Sequence, residues 1–445
     1  MTPEELSQAA FAAFNRCAWA EAESLFRALQ GVVPDWLPCR YGLGMTLFQR
    51  GDYAGAAPLL RDAWAGGIGL PDSWTYHCHA LAMLEQEAEL AAALAFPADP
   101  LVKSDLVFQI FNNRLAHGRG GTVLPLFDRL PEEPALRMGA AFWAGIACAD
   151  RDPEAAYDYF RTALDQAALL RADGTESPLV ASHIAAGAGI EPDVFVFAAT
   201  PESIAPPTVT WLDPPSLSDA EFGVFFAAAD GAYTEEFAVD CAASLGALGP
   251  GRTLHLHIVN PSPNLAALIT TIRDAAPELA LRVSIEQAPS GDAVYYACSR
   301  FLLLPRLIDR YGTAVTVIDI DCLFQPAAAQ LPALGDGADV ALFRLDTVFP
   351  WLKHPAAMVI VANNIGGREF AALLCSYLGR KLNRARNWTL DQAGLFCVVG
   401  AIQRHRPAIT IAELNAANAL TLDDLVRSQG SFAAKRALRL RTIKD

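Results

Sequence analysis

The stretch 294–321, VYYACSRFLLLPRLIDRYGTAVTVIDID, decides the fold of the second half of the chain. Apolar residues recur at helical spacing over 293–311, which predicts an amphipathic helix, and the β-branched run 314–321 predicts a buried strand. That strand ends on two carboxylates, Asp319 and Asp321, separated by one apolar residue. A helix that leads directly into a buried strand is the building unit of a mostly parallel α/β sheet.

The same alternation of strands and helices continues on both sides of this stretch. The predicted strands are 193–200, 223–230, 253–260, 281–287, 314–321, 339–345 and 357–364. The predicted helices between them are 235–248, 264–276 and 293–311. Ligands of such sheets bind outside the carboxyl ends of the strands. Asp230 ends a predicted strand, so we expect it to join Asp319 and Asp321 at a ligand site.

The first 165 residues or so have a different pattern, with Ala and Leu at helical spacing and few β-branched runs. Segment 20–29 (AEAESLFRAL) aligns with 54–63 (AGAAPLLRDA) at an offset of 34 residues, and weaker copies occur at 74–94 and 140–164. The register places Trp19 on Tyr53, Ala22 on Ala56, Phe26 on Leu60 and Ala10 on Gly44. A helix-turn-helix period of this length resembles the tetratricopeptide repeat. The alternative is a plain bundle of Ala-rich hairpins.

Length and pattern together predict more than one domain. A chain of 445 residues exceeds what one hydrophobic core supports. Residues 1–183 are predicted to form an all-α array of tetratricopeptide-like repeats, which offers a concave surface for a partner. Residues 184–221 are predicted to be a Pro-rich connection that contains one strand, and 222–445 the α/β domain.

Composition and charge exclude several classes of function. With 53% hydrophobic and 19% charged residues the chain is a folded protein, and its net charge of −15 argues against general binding to nucleic acid or to anionic membranes. The nine cysteines are scattered without a Cys-x-x-Cys pair, which disfavours a zinc ribbon and fits reduced thiols. We expect no signal peptide and no membrane span, and therefore a cytoplasmic location.

Three segments from residue 222 onward resemble nucleotide-sugar glycosyltransferases of the GT-A type, in particular the glycogenin and galactosyltransferase-like branch. They are 224–248 (VFFAAADGAYTEEFAVDCAASLGAL), the opening stretch 294–321, and 387–396 (NWTLDQAGLF). The segments occur in the family's order and cover, with the chain between them, about half of the sequence. The resemblance implies a Rossmann-like GT-A domain with an Asp-x-Asp motif at Asp319 and Asp321.

The resemblance also implies a metal and a donor. Breaking the sugar–phosphate bond develops charge on the leaving diphosphate, and a divalent cation stabilises that charge as a Lewis acid. Mn²⁺ and Mg²⁺ take oxygen ligands and keep waters, so one or two carboxylates suffice as an anchor. Asp321 would be the direct ligand, and Asp319 would contact the metal, a metal-bound water or the ribose. The donor implied is a nucleoside-diphosphate sugar, most often a UDP-sugar.

The remaining site residues are assigned by the same resemblance. Asp230 and Tyr233 would hold the base and ribose, and Arg300 would reach the donor phosphate or Asp319. Asp391 and Gln392 would face the sugar and acceptor, with Asp391 as the candidate general base. Structural interpretations stay open: a packing aromatic for Tyr233, a partner of a nearby carboxylate for Arg300, and a helix-terminal charge for Asp391.

One part of the family's pattern is missing. Relatives often supply a third metal ligand from a C-terminal His, whereas the last His here, His405, is predicted to lie in a turn before a late strand. Lys435, after Gly430, is a candidate substitute that would bind phosphate. His255 and His257 alternate on one strand and are predicted to be packed or surface residues rather than ligands.

The sequence therefore predicts a metal-dependent hexosyltransferase that acts on an acceptor hydroxyl, with the helical repeats recruiting a protein or glycan acceptor. The alternative is a catalytically degenerate scaffold that binds a nucleotide-sugar or a protein. A third hypothesis is a haloacid dehalogenase-like phosphatase, because VTVIDIDCLF and GDGADVALF resemble that family's motifs. Only about fourteen residues separate the two segments, too few for the helix, strand and lysine that the phosphatases place between them.

Overall fold

The computed structural model describes residues 1–69, 72–187, 189–191, 194–195, 208–213, 223–288, 292–331, 337–383, 387–415 and 421–429. The chain divides into two compact units. The first comprises Met1–Ala149 and Asp158–Ile184, and the second comprises Asp150–Tyr157 and the chain from Ala185 onward. Within the described ranges no helix combines the length and the apolar character that crossing a membrane requires.

The chain before residue 188 is helical. Its helices are α1 (Pro3–Asn15), α2 (Trp19–Val32), α3 (Leu37–Gln49), α4 (Tyr53–Ala65), α5 (Asp72–Met83), α6 (Glu87–Leu94), α7 (Pro100–Ala116), α8 (Val123–Arg129), α9 (Pro134–Cys148), α10 (Pro153–Ala172) and α11 (Pro178–Gly187). Starts recur every 34 residues: from 3 to 37 for α1 and α3, and from 19 to 53 to 87 for α2, α4 and α6. The predicted helical repeats are therefore confirmed.

Small residues at the predicted repeat positions bring the helices of this array together. Phe26 and Leu60, which the register equates, are both fully buried. A Cβ atom on Gly44 would lie 2.9 Å from the side chain of Leu60, so helices α3 and α4 approach at a distance that only glycine allows without a shift. Gly51, at φ +80°, and the N-cap Asp52 form the turn that starts α4.

The second unit is built on a mixed sheet. Its strands are β1 (Val209–Trp211), β2 (Val224–Asp230), β3 (Thr253–Val259), β4 (Ala280–Glu286), β5 (Val315–Ile318), β6 (Cys322–Phe324), β7 (Val340–Leu342), β8 (Met358–Val361), β9 (Ile411–Glu413) and β10 (Val426–Ser428). Eight of them pair in the order β1-β4-β3-β2-β5-β8-β7-β9, and β10 pairs with β6. Four of the seven described pairs of the large sheet are parallel and three, at β1–β4, β5–β8 and β7–β8, are antiparallel.

Helices cover the central strands, which are buried on both faces. They are α12 (Gly231–Gly246), α13 (Leu265–Ala275), α14 (Ala293–Tyr311), α15 (Ile365–Lys381), α16 (Leu390–His405) and the short α17 (Leu422–Leu425). Phe225 packs in one apolar cluster with Phe237 and Leu245 of α12, while α14 contacts β2 and β5. Continuous burial explains why β2, up to its terminal Asp230, is a run of apolar residues rather than an alternating one.

Two predictions about strands need correction. Most of the predicted strand 193–200 lies outside the described residues, and the two that are described, Val194 and Phe195, are helical. A short apolar run does not distinguish a strand from a helix segment by its period alone. The predicted strand 314–321 ends at Ile318. The turn into a late strand predicted around His405 lies directly after that residue, between the end of α16 at His405 and the start of β9 at Ile411.

Candidate active site

A cleft of about 220 Å³ opens at the carboxyl ends of β2 and β5. The chain runs outward from β2 to β3 and β4 and then returns to place β5 on the other side of β2, so the cleft lies where the strand order reverses. Binding sites of open α/β sheets occur at this position. Seven predicted site residues line it: Asp230, Tyr233, Arg300, Asp319, Asp321, Asp391 and Gln392. Lys435, the remaining predicted residue, lies outside the described residues.

Asp230 ends β2 and caps α12. Its Oδ1 accepts a hydrogen bond of 2.9 Å from the backbone N–H of Tyr233, so the helix starts at Gly231, four residues before the predicted start. A Cβ atom on Gly231 would lie 2.8 Å from the backbone oxygen of Asn260 and from the backbone nitrogen of Ser262, which requires glycine at this position. Burial raises the pKa of Asp230 above its ordinary value, although backbone donors, led by Tyr233, oppose the shift.

Asp319 and Asp321 lie in the turn that follows β5. Both line the cleft, with Ile320 buried between them. Asp321 is 6% exposed, and its backbone oxygen accepts a hydrogen bond of 2.6 Å from the N–H of Gln429, next to the β10–β6 pairing. The side chain of Asp319 is 38% exposed. The two carboxylates therefore share one cleft but differ in their access to water.

Arg300 joins two carboxylates that are far apart in the sequence. Its Nη1 donates to Asp319 Oδ1, and its Nη2 donates to Asp391 Oδ2 at 2.8 Å. Arg300 and Asp391 are both buried. Burial alone would lower the pKa of Arg300, but Asp319 and Asp391 outweigh it and hold that pKa above the ordinary value. The contact with Asp319 is one that the resemblance implied for Arg300, and the ion pairs also match the structural interpretation that the sequence left open.

Asp391 uses both of its oxygens within the protein. Oδ2 binds Arg300, and Oδ1 accepts a hydrogen bond of 2.8 Å from the backbone N–H of Gln392 in the first turn of α16. Burial raises the pKa of Asp391, although the charge of Arg300 opposes the shift. Asp391 is thus fixed in place, at a helix N-terminus where a negative charge is favoured.

Tyr233 contacts a carboxylate. Its phenol O–H donates to Asp321 Oδ2 at 2.8 Å, and its ring packs against that of Phe237 with centroids 4.6 Å apart. The sequence assigned Tyr233 to the base and ribose, with a packing aromatic as the alternative. The structure shows the packing and adds a hydrogen bond to the predicted metal ligand.

Further residues of the cleft were missed by the sequence analysis. Tyr296 lies four residues before Arg300 on α14, a spacing that places two side chains on the same helix face. Trp388 lies three residues before Asp391 and is 44% exposed, unusual for a tryptophan. Segment 355–357, which precedes β8, completes the wall without a distinctive sequence signal.

The histidines of β3 are packed within the sheet unit and serve a buried hydrogen-bond chain. His255 Nδ1 lies 2.7 Å from the hydroxyl of Tyr311, and its Nε2 lies 2.8 Å from Ser284 Oγ. His257 Nδ1 lies 2.9 Å from the same Oγ, and its Nε2 lies 3.1 Å from Glu286 Oε2. Because a carboxylate only accepts, Nε2 of His257 donates to it, Ser284 donates to Nδ1, and His255 donates to Ser284. With one N–H on each imidazole, every hydrogen bond in this series has one donor and one acceptor.

The donor set of the cleft suits a hard cation that keeps part of its water shell. Asp319 and Asp321 supply carboxylate oxygens from one turn, as Mg²⁺ and Mn²⁺ prefer. In the described part of the chain, no three or more His, Cys, Asp or Glu residues come together as a metal cage. The protein residues described here therefore fit an incomplete coordination shell whose other positions belong to water or to a ligand's oxygens.

No family model and no curated protein matches the chain. Among solved structures, a tetratricopeptide-repeat protein of Bacteroides fragilis is similar to 41% of this chain over 96% of its own, with 13% identity and a TM-score of 0.26. The apo glycosyltransferase GlyE of Streptococcus pneumoniae is similar to 50% of this chain over 60% of its own, with 15% identity and a TM-score of 0.33. Similarities this low do not assign a function, which must come from the residues of the cleft.

Proposed function

We propose that the second unit is a metal-dependent glycosyltransferase, which transfers a hexose from a nucleoside-diphosphate sugar to an acceptor hydroxyl. The observation that carries this proposal is the position of Asp319 and Asp321, together in a cleft at the reversal point of an α/β sheet, with Asp230 on the adjoining strand. The helical repeats of the first unit would recruit an acceptor-bearing protein or glycan, since stacked repeats offer extended binding surfaces.

The charge of the cleft supports a requirement for a cation. Among the described residues, those that line the cleft include four carboxylates (Asp230, Asp319, Asp321 and Asp391) and one guanidinium, Arg300. Two like unit charges 4 Å apart repel by about 4 kcal/mol at the effective dielectric of a protein surface. These carboxylates would repel a diphosphate, and a divalent cation that binds with it would offset the repulsion. When bound, that cation also stabilises the leaving diphosphate as a Lewis acid.

The other residues of the cleft would position the site and contact the substrates. Arg300 holds Asp319 and Asp391 in place, and the fixed Asp391 orders the start of α16. Since both oxygens of Asp391 are engaged, we assign it a positioning role rather than that of general base. Gln392 and Trp388, which line the same cleft, are the candidates for contact with the transferred sugar and the acceptor.

Calorimetric titration of UDP and GDP, with Mn²⁺ and with EDTA, tests the proposal. The wild type is expected to bind one of the nucleotides only with the metal. Truncating one partner of a buried charge pair in a complex costs about 2–5 kcal/mol, so Asp321→Ala should weaken that binding by at least about 30-fold. Asp240→Ala, an exposed substitution on α12, is the matched control and should bind as the wild type does. Absence of nucleotide binding by the wild type with Mn²⁺ or Mg²⁺ would refute the proposal.

A second candidate is a scaffold that binds the nucleotide-sugar but catalyses nothing. It is favoured by the lack of a third metal-binding side chain in the described part of the chain. The two functions differ in turnover. A scaffold would bind UDP or GDP with Mn²⁺ in the titration, yet would release no free nucleotide from any of a panel of UDP- and GDP-sugars, with or without acceptors.

A further inference from the structure

The hydrogen bond between Tyr233 and Asp321 links the first turn of α12 to the turn after β5. The two residues are 88 positions apart, and the phenol oxygen lies 2.8 Å from Asp321 Oδ2. We infer that Tyr233 is a positioning residue for the cation: its phenol holds the carboxylate of Asp321 in the orientation that binds metal. This inference rests on the proposed function, since it presumes a divalent cation at Asp321.

The surroundings of Tyr233 restrict the position of its phenol. The backbone N–H of Tyr233 is held by the cap Asp230 at 2.9 Å. Its ring packs against Phe237, one helical turn further along α12, with a ring centroid distance of 4.6 Å. Gly231 allows the start of α12 to approach the chain around Asn260 closely. The hydroxyl is therefore presented from a rigid element, and it does not have to be ordered when a ligand arrives.

The main chain and the side chain of Asp321 are held by different elements. Its backbone oxygen accepts the N–H of Gln429 at 2.6 Å, beside the pairing of β10 with β6, which fixes the main chain. Asp321 is buried, and its Oδ2 accepts a hydrogen bond from the phenol O–H of Tyr233. Hydrogen-bond partners of this kind orient metal ligands, and their loss typically lowers metal affinity about 10–100-fold.

The test measures Mn²⁺ affinity by the paramagnetic resonance signal of free Mn²⁺, both alone and with saturating UDP or GDP, and does not depend on turnover. Tyr233→Phe keeps the ring and its packing on Phe237 but removes the hydroxyl. A hydrogen bond to a charged group contributes about 1.5–3 kcal/mol, so the dissociation constant for Mn²⁺ should rise at least about tenfold. Unfolding temperatures should stay equal, which separates this effect from a loss of fold.

Tyr296→Phe is the matched control. Tyr296 lines the same cleft and is buried, but its hydroxyl lies 3.5 Å from the side-chain nitrogen of Asn260 rather than against Asp321. The dissociation constant of the Tyr296→Phe variant for Mn²⁺ should stay within about twofold of the wild-type value. An equal loss in both variants would overturn the inference, because a general effect of removing a phenol would explain it.

Two other outcomes overturn the inference in distinguishable ways. Unchanged or tighter Mn²⁺ binding by Tyr233→Phe, with a wild type that binds, would show that the phenol is irrelevant or competes with the cation for Asp321. The proposed function would survive that result. A wild type that binds Mn²⁺ neither alone nor with nucleotide would overturn both the inference and the proposed function.

Discussion

Arg300 is buried between Asp391, which is also buried, and Asp319, whose side chain is 38% exposed. Replacing Arg300 by methionine keeps much of the side-chain volume but leaves the charge of Asp391 without its cation. Removing one partner of a buried ion pair costs about 3–5 kcal/mol, because the other charge stays buried. The side chain of Asp319 stays accessible to water, so loss of its ion pair should add no more than about 1 kcal/mol to the destabilisation. Most of the destabilisation should therefore come from Asp391.

The cost should appear in the unfolding temperature and should depend on pH. One kcal/mol shifts the midpoint of a domain of this size by about 2–4 °C, so Arg300→Met should lower it by about 6–20 °C near neutral pH. Burial already raises the pKa of Asp391, and loss of Arg300 should raise it further. As pH falls through that raised pKa, Asp391 becomes neutral in the folded protein. The difference between wild type and variant should thus be larger at pH 8 than at pH 5.

Thermal unfolding of the full chain, followed by near-UV circular dichroism across this pH range, measures the effect. Arg300→Met combined with Asp391→Asn should recover most of the lost stability at pH 8, because the unpaired charge is gone. Arg300→Lys should be intermediate, since one ammonium cannot reproduce the fork that binds two carboxylates. A double variant as unstable as Arg300→Met would show that packing, not charge, accounts for the loss and would refute the reasoning.

Two further predictions concern the elements around the cleft. Gly231→Ala should destabilise the second unit by more than about 1 kcal/mol and weaken metal-dependent nucleotide binding, because the new Cβ meets backbone atoms at 2.8 Å and displaces the start of α12. Ser284→Ala removes the hydrogen-bond partner of one imidazole nitrogen on His255 and one on His257. The free energy of unfolding should fall by about 1–3 kcal/mol for each of them. Since burial lowers the pKa of His255 well below its ordinary value, stability should also decline as pH falls below about 6.5.

Each of these variants has a control within the chain. Gly246→Ala, at the other end of α12, places its Cβ 3.2 Å from the side chain of Ala276 and gains helix propensity, so its midpoint of denaturation should change little. Ser299→Ala removes one local hydrogen bond to the carbonyl of Tyr296 and should cost about 1 kcal/mol. If Gly246→Ala proved as unstable as Gly231→Ala, close backbone approach would not explain the loss of stability. If Ser299→Ala proved as unstable as Ser284→Ala, the imidazole hydrogen bonds would not explain it.

The sequence was most informative where local pattern and topology agree. The helix predicted over 293–311 has those bounds in the structure, because its apolar period is long and Asp292 and Gly312 terminate it. Residues that follow β2 and β5 meet in one cleft, as the reversal of strand order requires. The repeats were visible because the starts of α1 and α3, and those of α2, α4 and α6, are 34 residues apart.

Contacts between distant segments could not be predicted in the same way. Arg300 binds Asp391, 91 positions away, and Tyr233 binds Asp321, 88 positions away. No periodicity encodes such pairs, because they depend on how α12, α14 and α16 are placed against the sheet. The pairing of β10 with β6 is similar, since a three-residue strand carries too little pattern to show its partner.

The four carboxylates of the cleft are not equivalent. Asp230 accepts the N–H of a helix that it caps, while Asp319 and Asp391 bind the guanidinium of Arg300. The carboxylate of Asp321 accepts a hydrogen bond from the phenol of Tyr233, a neutral hydroxyl that orients the charge. Among the described lining residues the carboxylates outnumber the cations. Metal and nucleotide should therefore bind together, because a divalent cation offsets the repulsion between these carboxylates and a diphosphate.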